Sequence, residues 1–457
     1  MAKTKYKTAW FCKECGADTP RWEGRCPSCG AWNSLTEEKI STSVSRSPSP
    51  VAGRGKSKPQ AVSHIEADTE QRVKMPSAEL NRVLGGGLVS GSMVLIGGEP
   101  GIGKSTLVLQ NILSIKSKSV LYVSGEESAA QLKMRADRIG RGSENVFIVT
   151  ETSLENIFEH IEEMHPGIII IDSIQTIASD ELESAAGSVS QVRECAARLL
   201  AYAKSTSTPV ILIGHITKEG SLAGPKVLEH IVDAVLQFEG DSKYMYRILR
   251  AIKNRFGSTN EIGIYEMCRR GLREVSNPSE MLISANEAGL SGIALGVTLE
   301  GQRPFIIEAQ ALVSTAAYGT PQRTVTGFDS KRLGMILAVL EKRVGFKLAA
   351  KDVFLNIAGG LRVSDPALDL PVACAVMSSN VDMAIAGGRV MTGEIGLSGE
   401  IRPVTRLENR IREADRLGMT DIIVPKDNLK GIDLSSFNIN IHEAGRVEEA
   451  FRLLFKD

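Results

Sequence analysis

The octapeptide Gly98-Glu99-Pro100-Gly101-Ile102-Gly103-Lys104-Ser105 satisfies the pattern G-x-x-x-x-G-K-[ST] at every defined position. Glycines at such spacing let consecutive backbone N–H groups turn toward an anion. The lysine can then reach β- and γ-phosphates and the serine hydroxyl can ligate Mg²⁺. The predicted nucleotide-contacting set runs from Gly98 through Thr106. A second chemical signal is Ile168-Ile-Ile-Ile171-Asp172, four aliphatics ending in a carboxylate. It fits a buried strand whose terminal aspartate holds Mg²⁺ together with Ser105. A third is Glu126-Glu127, just after the apolar run Ser119–Ser124. A carboxylate there can polarise water for attack on a γ-phosphate. This expects the Ser119–Ser124 strand to neighbour the phosphate-loop strand, with Glu126 preferred over Glu127.

Cysteines supply the other reactive groups. Four of the seven fall in two pairs, Cys12-x-x-Cys15 and Cys26-x-x-Cys29. Two thiolate pairs at that spacing can close around a tetrahedral Zn²⁺ with Zn–S bonds near ~2.3 Å. The alternative, two redox pairs, lacks the strand-to-helix setting of a thioredoxin site. All three tryptophans, Trp10, Trp22 and Trp32, lie in the same stretch.

These groups need a scaffold. Apolar runs at Ser92–Gly97, Ser119–Ser124, Asn145–Val149, Gly167–Asp172 and Pro209–His215 read as strands, and the phosphate loop follows the first of them. Between them lie helical patterns; Leu154, Ile157, Phe158, Ile161 and Met164 form a stripe of period 3.6. Strands apolar throughout and joined by helices predict a parallel sheet covered on both faces. Beyond Phe238 the strand-like runs Tyr244–Ile252 and Ile262–Met267 predict antiparallel additions at one sheet edge.

The 457 residues divide on composition. Residues 1–35 form the four-cysteine zinc finger, and residues 36–64 form a linker. Seven of the 24 positions from Ser41 to His64 are serine, none is acidic, and Arg46, Arg54, Lys56 and Lys58 make it basic. Such a stretch buries too little apolar surface to offset chain entropy. Residues 65–275 form the α/β nucleotide-binding domain, and residues 276–457 a second α/β domain with helical patterns around Lys331–Leu340 and Leu407–Leu417. The whole is 42% hydrophobic and 24% charged, with 54 basic and 54 acidic residues, so net charge does not advertise nucleic acid. No apolar run nears the roughly 18 residues of a membrane span, and no secretory signal opens the chain, so a cytoplasmic protein with no membrane association is expected.

Taken together, the phosphate loop, Glu126-Glu127, the Asp172 strand and the cysteine pairs resemble the bacterial RadA family (also called Sms) of DNA-repair ATPases. Lys253-Asn254-Arg255-Phe256-Gly257 resembles that family's KNRFG signature, and Glu79–Gly98 resembles the start of a RecA-type core. The resemblance covers essentially the whole chain. It implies a RecA-like core and ATP, Mg²⁺ and Zn²⁺ as cofactors. It further implies a homo-hexameric ring working on single-stranded and branched DNA beside the RecA recombinase. As in ring helicases of the DnaB type, Lys253 and Arg255 would reach the neighbouring subunit's ATP. DNA would be held by the loops Ile177–Ser190 and Lys218–Glu229, through Arg193, Lys218 and Lys226, with Gly187, Gly220 and Gly224 giving mobility. His215, at a strand end, could couple nucleotide state to the second loop or be structural.

Gly359–Ser379 and Gly393–Leu407 resemble the proteolytic domain of Lon, whose Ser–Lys dyad hydrolyses peptides. In this register the nucleophile position holds Leu368 and the lysine position Glu408; Ser364 lies four residues away. The resemblance therefore implies a catalytically inactive scaffold. Lys331, Arg332, Lys342, Arg343, Lys347 and Lys351 are candidate DNA contacts on it.

Overall fold

The computed structural model describes residues 6–12, 17–41, 72–140, 142–215, 225–240, 246–277, 279, 289–316, 320–360 and 363–455. Cys15, most of the expected linker, Lys218, Gly220, Gly224 and the side chain of Lys226 lie outside them. The chain separates into two compact units, Met1–Val275 and Ser276–Asp457. Among the described residues no helix is long and apolar enough to cross a membrane.

The first unit opens with β1 (Tyr6–Cys12), β2 (Asp18–Thr19) and β3 (Leu35–Ser41), an antiparallel sheet in the order β2-β1-β3. Because β3 pairs with β1 along its whole length, the cysteine module extends to Ser41 rather than ending at residue 35.

The nucleotide-binding core follows. Its elements are α1 (Ala78–Leu84), β4 (Met93–Gly98), α2 (Lys104–Ile112), β5 (Val120–Ser124), α3 (Ala129–Ile139), β6 (Val146–Thr150), α4 (Leu154–Met164) and β7 (Ile168–Asp172). They continue with α5 (Val189–Thr206), β8 (Val210–His215), α6 (Pro225–Ile231), β9 (Ala234–Glu239), β10 (Tyr246–Asn254), β11 (Ile262–Cys268) and β12 (Gly271–Glu274). Among the described residues they build a nine-stranded sheet ordered β12-β11-β10-β9-β4-β8-β7-β5-β6. Strands β4 to β9 are mutually parallel, and β10 to β12 add antiparallel at the β9 edge, as the run pattern anticipates.

Side chains alternate faces along a strand. In β7, Ile168 and Ile170 join the layer containing α1, α2 and α3, whereas Ile169 and Ile171 join the layer of α4 and α5. Both faces are therefore sealed, which is why the strands read as unbroken apolar runs. Serines fix the helix starts: Ser128, Ser153 and Ser188 accept from Gln131, Asn156 and Gln191 backbone N–H groups at the heads of α3, α4 and α5.

One expectation fails. β5 is not beside the phosphate-loop strand: β8 and β7 stand between them, and β4 pairs instead with β8 and β9. Adjacency in sequence is only a tendency for neighbouring strands. Here the chain lays β5 and β6 on the far side and then fills the gap with β7 and β8.

The second unit contains β13 (Ile293–Glu300), β14 (Arg303–Thr315), β15 (Arg323–Thr326), α7 (Ser330–Val339), β16 (Lys351–Ile357), α8 (Asp369–Val381), β17 (Arg389–Met391), α9 (Leu407–Arg416), β18 (Asp421–Pro425), β19 (Asn440–Ala444) and α10 (Val447–Leu454). Its mixed sheet runs β15-β16-β14-β13-β17-β18-β19. The helix α8 is buried from Asp369 to Ser378, as its apolar run Leu370–Met377 requires.

Candidate nucleotide site and zinc module

β4 delivers the loop and α2 begins at its end, with Lys104 as the first helical residue. Gly101 (φ 76°) and Gly103 (φ 114°) take left-handed conformations that a side chain would oppose. Ile102 is buried and ties the loop down, while Glu99 and Pro100 face solvent. The Lys104 ammonium donates to the Gly98 and Glu99 carbonyls, each at 2.9 Å, and lies 3.2 Å from His215 Nδ1. Burial lowers its pKa to about 8, against the opposing charges of Asp172 and Glu126. Ser105 and Thr106 are half-buried in the first turn of α2.

Asp172 ends β7, and its Oδ2 accepts a hydrogen bond from the Tyr122 hydroxyl on neighbouring β5. Glu126 arrives from beyond β5, crossing toward the end of β8. Its Oε1 lies 3.1 Å from His215 Nε2 and accepts from Ser173 Oγ at 2.6 Å. Burial raises the Glu126 pKa, but these hydrogen bonds and the Lys104 charge outweigh it, so the carboxylate stays below its ordinary value. Glu127 turns elsewhere. Its N–H donates to Ser124 Oγ at 3.0 Å, Arg135 binds its Oε1, and its buried Oε2 has no hydrogen-bond partner among the described residues. The cluster thus gathers Lys104, Glu126, Asp172 and His215 and leaves Glu127 outside. The turn that does this is tight, since a Cβ on Gly125 would sit 1.9 Å from Thr176 Oγ1.

Motif reasoning missed two members of this cluster, Tyr122 and Ser173. A signal for Tyr122 exists: a tyrosine inside an otherwise aliphatic, fully buried strand must find a partner for its hydroxyl. Ser173 carries no such signal.

Lys253 and Arg255 are not brought to this chain's own phosphate loop. In register Asn254 faces Ala234, and Ala234 faces Val94, near the start of β4. Gly98 faces Phe238, four residues further along β9. At ~3.3 Å per residue the two ends are separated by about 13 Å along the strand. The Lys253 ammonium is engaged by the Glu229 and Val232 carbonyls at the end of α6. Arg255 touches the buried Asp233 at 3.3 Å, yet its side chain remains 56% exposed.

The segment expected as a mobile DNA loop, Ile177–Ser190, is tied down. Gln191 accepts from Ser179 N–H and donates to the Ser179, Leu182 and Ser184 carbonyls, and Arg198 binds Glu155 and Glu181. Arg193 is exposed on α5.

In the cysteine module the Cys12, Cys26 and Cys29 sulfurs lie within 4.8 Å of one another, Cys12 and Cys29 at 3.7 Å. Four sulfurs around a tetrahedral zinc at ~2.3 Å would be roughly 3.8 Å apart, so the donor set fits that ion. The two knuckles match: Cys12 N–H donates to the Ala17 carbonyl and Cys26 N–H to the Ala31 carbonyl, both at 2.9 Å.

In the second unit Leu368 is 1% exposed, packed over Gly296 of β13, and Glu408 is exposed and paired with Arg412 at 2.6 Å. Buried Arg410, two residues after Glu408, binds Asp365, three before Leu368, at 2.8 Å. An ion pair and a leucine therefore occupy the region to which the Ser–Lys register points, and Ser364 is exposed outside it. Arg332 leaves the candidate DNA surface: it is bound by Asp369 and Glu394, so its charge is neutralised within the fold. Lys351 donates to Asn380 at 2.6 Å, while Lys331, Lys342, Arg343 and Lys347 are exposed.

Comparison with known proteins agrees with this layout. Family models match for an AAA domain at residues 59–221, for the subunit ChlI of Mg-chelatase at 309–428, and for a rubredoxin metal binding domain at 10–37. The solved KaiC-like protein of Pyrococcus horikoshii OT3 is 22% identical, with a TM-score of 0.38, covering 45% of this chain and 99% of that one. The DNA repair protein RadA of Halalkalibacterium halodurans is 47% identical over 453 residues, covering 98% of this chain and 99% of the relative. The DNA repair protein RadA of Bacillus subtilis is 48% identical over 435 residues, covering 94% of each. A RecA-like P-loop core, a cysteine-rich metal module and a Lon-like second domain are thus joined in one chain, which belongs to the RadA family of DNA repair proteins.

Proposed function

We propose that this chain is a DNA-dependent ATPase that assembles as a homo-hexameric ring. It translocates on single-stranded DNA and promotes branch migration of recombination intermediates made by RecA. The observation that carries the reading is the placement of Arg255. It is exposed, basic and at the opposite end of the sheet from its own phosphate loop, so only a neighbouring copy could use it on a γ-phosphate.

Within one chain the division of labour follows from the geometry. The loop from Gly98 to Thr106 cradles the phosphates, and Lys104 exchanges its contacts with the Gly98 and Glu99 carbonyls for phosphate oxygens. Ser105 and Asp172 would hold Mg²⁺, which supplies charge neutralisation at the transferring phosphoryl group. Tyr122 keeps the Asp172 carboxylate oriented. Glu126, ionised and aligned by Ser173 and His215, positions the attacking water. Cys15 completes the zinc set with Cys12, Cys26 and Cys29. DNA would run along Ile177–Ser190 and Lys218–Glu229, with Arg193, Lys218 and Lys226 as phosphate contacts. The second unit, residues 276–457, serves as an inactive scaffold without peptidase activity, because leucine at 368 offers no nucleophile.

Steady-state ATP hydrolysis with and without single-stranded DNA, for wild type and Lys104→Ala, tests the motor. DNA stimulation that vanishes in the variant supports it; hydrolysis indifferent to DNA refutes the coupling.

A further inference from the structure

We propose that the zinc module carries a stacking platform for single-stranded DNA, built from Trp22 and Trp32 with Arg21 and Arg25. The inference goes beyond the motor reading, since it requires neither a ring, nor a channel, nor hydrolysis.

Of the chain's three tryptophans, Trp10 packs against the Cys12, Cys26 and Leu35 cluster. The other two do not: Trp22 is 53% exposed and Trp32 72%. An indole normally buries its large apolar area, so two left open side by side need a reason. Both rings flank Gly24, where a methyl group would meet Trp22 Cη2 at 3.7 Å and Trp32 Cζ3 at 3.8 Å. The Arg25 guanidinium lies 5.9 Å from the Trp32 ring centroid.

This surface is built. Arg25 Nε donates to the Gly30 carbonyl at 2.9 Å, and Gly30 N–H donates to the Cys26 carbonyl at 2.9 Å. Arg25 and Trp32 are also bridged as antiparallel backbone partners. The ring and cation are thus locked to a metal knuckle. Arg21, 82% exposed beside Glu23, has its carbonyl held by Thr19 Oγ1 at 2.8 Å.

The chemistry fits a single strand best. Among the described residues of the module, these two rings are the exposed large hydrophobics, and no aliphatic rim surrounds them. Protein hot spots set aromatic anchors in packed pockets that exclude water. Open π faces beside guanidinium groups match bases that stack and phosphates that pair. A duplex hides its base faces in its own stack, so an unpaired strand is the ligand.

Because every tryptophan lies in this module, tryptophan emission excited selectively over tyrosine reports on it alone. Without nucleotide, a short oligo(dT) should quench emission saturably, and an abasic oligonucleotide of equal length should not. Trp32→Ala should weaken oligo(dT) binding by anisotropy about 5- to 100-fold, with Trp32→Phe restoring most of it. Unchanged zinc content guards against unfolding. Binding without quenching, or undiminished affinity in a Trp22→Ala/Trp32→Ala variant, would overturn the platform. So would retained DNA affinity with lost capture of a RecA filament, which would assign the surface to a protein. Failure of the motor reading shows separately, as absent DNA stimulation of hydrolysis.

Discussion

His215 stands between a buried ammonium and a carboxylate, with Nδ1 3.2 Å from Lys104 Nζ and Nε2 3.1 Å from Glu126 Oε1. It closes the end of β8, which pairs directly with the phosphate-loop strand. On the proposed reading, the imidazole holds the Glu126 carboxylate in place and links it to Lys104.

Replacing His215 with alanine should therefore separate binding from chemistry. Nucleotide affinity, read with a fluorescent ATP analogue, should change by less than about threefold. The hydrolysis rate should fall about 10²-fold, the range for a misaligned acid–base group. Wild-type turnover in the variant would make the histidine structural only.

The Lys104 pKa of about 8 gives a pH signature. A bound polyphosphate stabilises the ammonium and raises that pKa, so the complex holds more protons than the free protein between the two values. Calorimetry in buffers of different ionisation enthalpy should show proton uptake on ATP binding near pH 9. Uptake from this group should vanish below about pH 7, where the lysine is protonated in both states. Equal uptake in Lys104→Met would disprove the assignment.

Tyr122→Phe removes one hydroxyl from a buried site and leaves Asp172 Oδ2 without its donor. Stability should drop by about 1–2 kcal/mol. The sharper effect is on the metal. With a non-hydrolysable nucleotide, the Mn²⁺ dissociation constant by electron paramagnetic resonance should rise several-fold, and hydrolysis should need correspondingly more Mg²⁺. Unaltered Mn²⁺ binding would limit the tyrosine to packing.

Arg255→Ala should leave nucleotide binding intact and lower hydrolysis about 10³-fold, the low end of an arginine finger. Mixing Arg255→Ala with Lys104→Ala subunits, each inactive alone, should restore part of the activity if an intact phosphate loop borrows Arg255 from its neighbour. No recovery on mixing would mean that each chain works alone. Lys253→Ala should differ, loosening the α6 end whose carbonyls it binds.

Metal removal by chelator, or Cys26→Ser, should unfold the cysteine module while the ATPase core keeps its helicity. Zinc contributes roughly 10–16 kcal/mol to modules of this size. Tryptophan emission should shift toward that of exposed indole as Trp10 leaves the core. A shift of the bulk circular dichroism would show instead that the core depends on the module.

Local chemistry is what the sequence alone determined. The phosphate loop, the aliphatic strand ending at Asp172, the cysteine pairs and Leu368 in place of a nucleophile are each contiguous. Backbone geometry needs glycines in a fixed order, a doubly covered strand needs an unbroken aliphatic run, and a metal knuckle needs paired cysteines. Tertiary structure decided what distant segments share. Strand order is set by long-range pairing, so the separation of β5 from β4 by two intervening strands left no local trace. For the same reason the sequence preferred Glu126 over Glu127 without showing that Glu126 meets His215 and Ser173. It did not show that Asp369 neutralises Arg332, or that Gln191 ties down the loop expected to move. Those outcomes rest on side chains up to about a hundred residues apart, whose meeting depends on how the sheet closes.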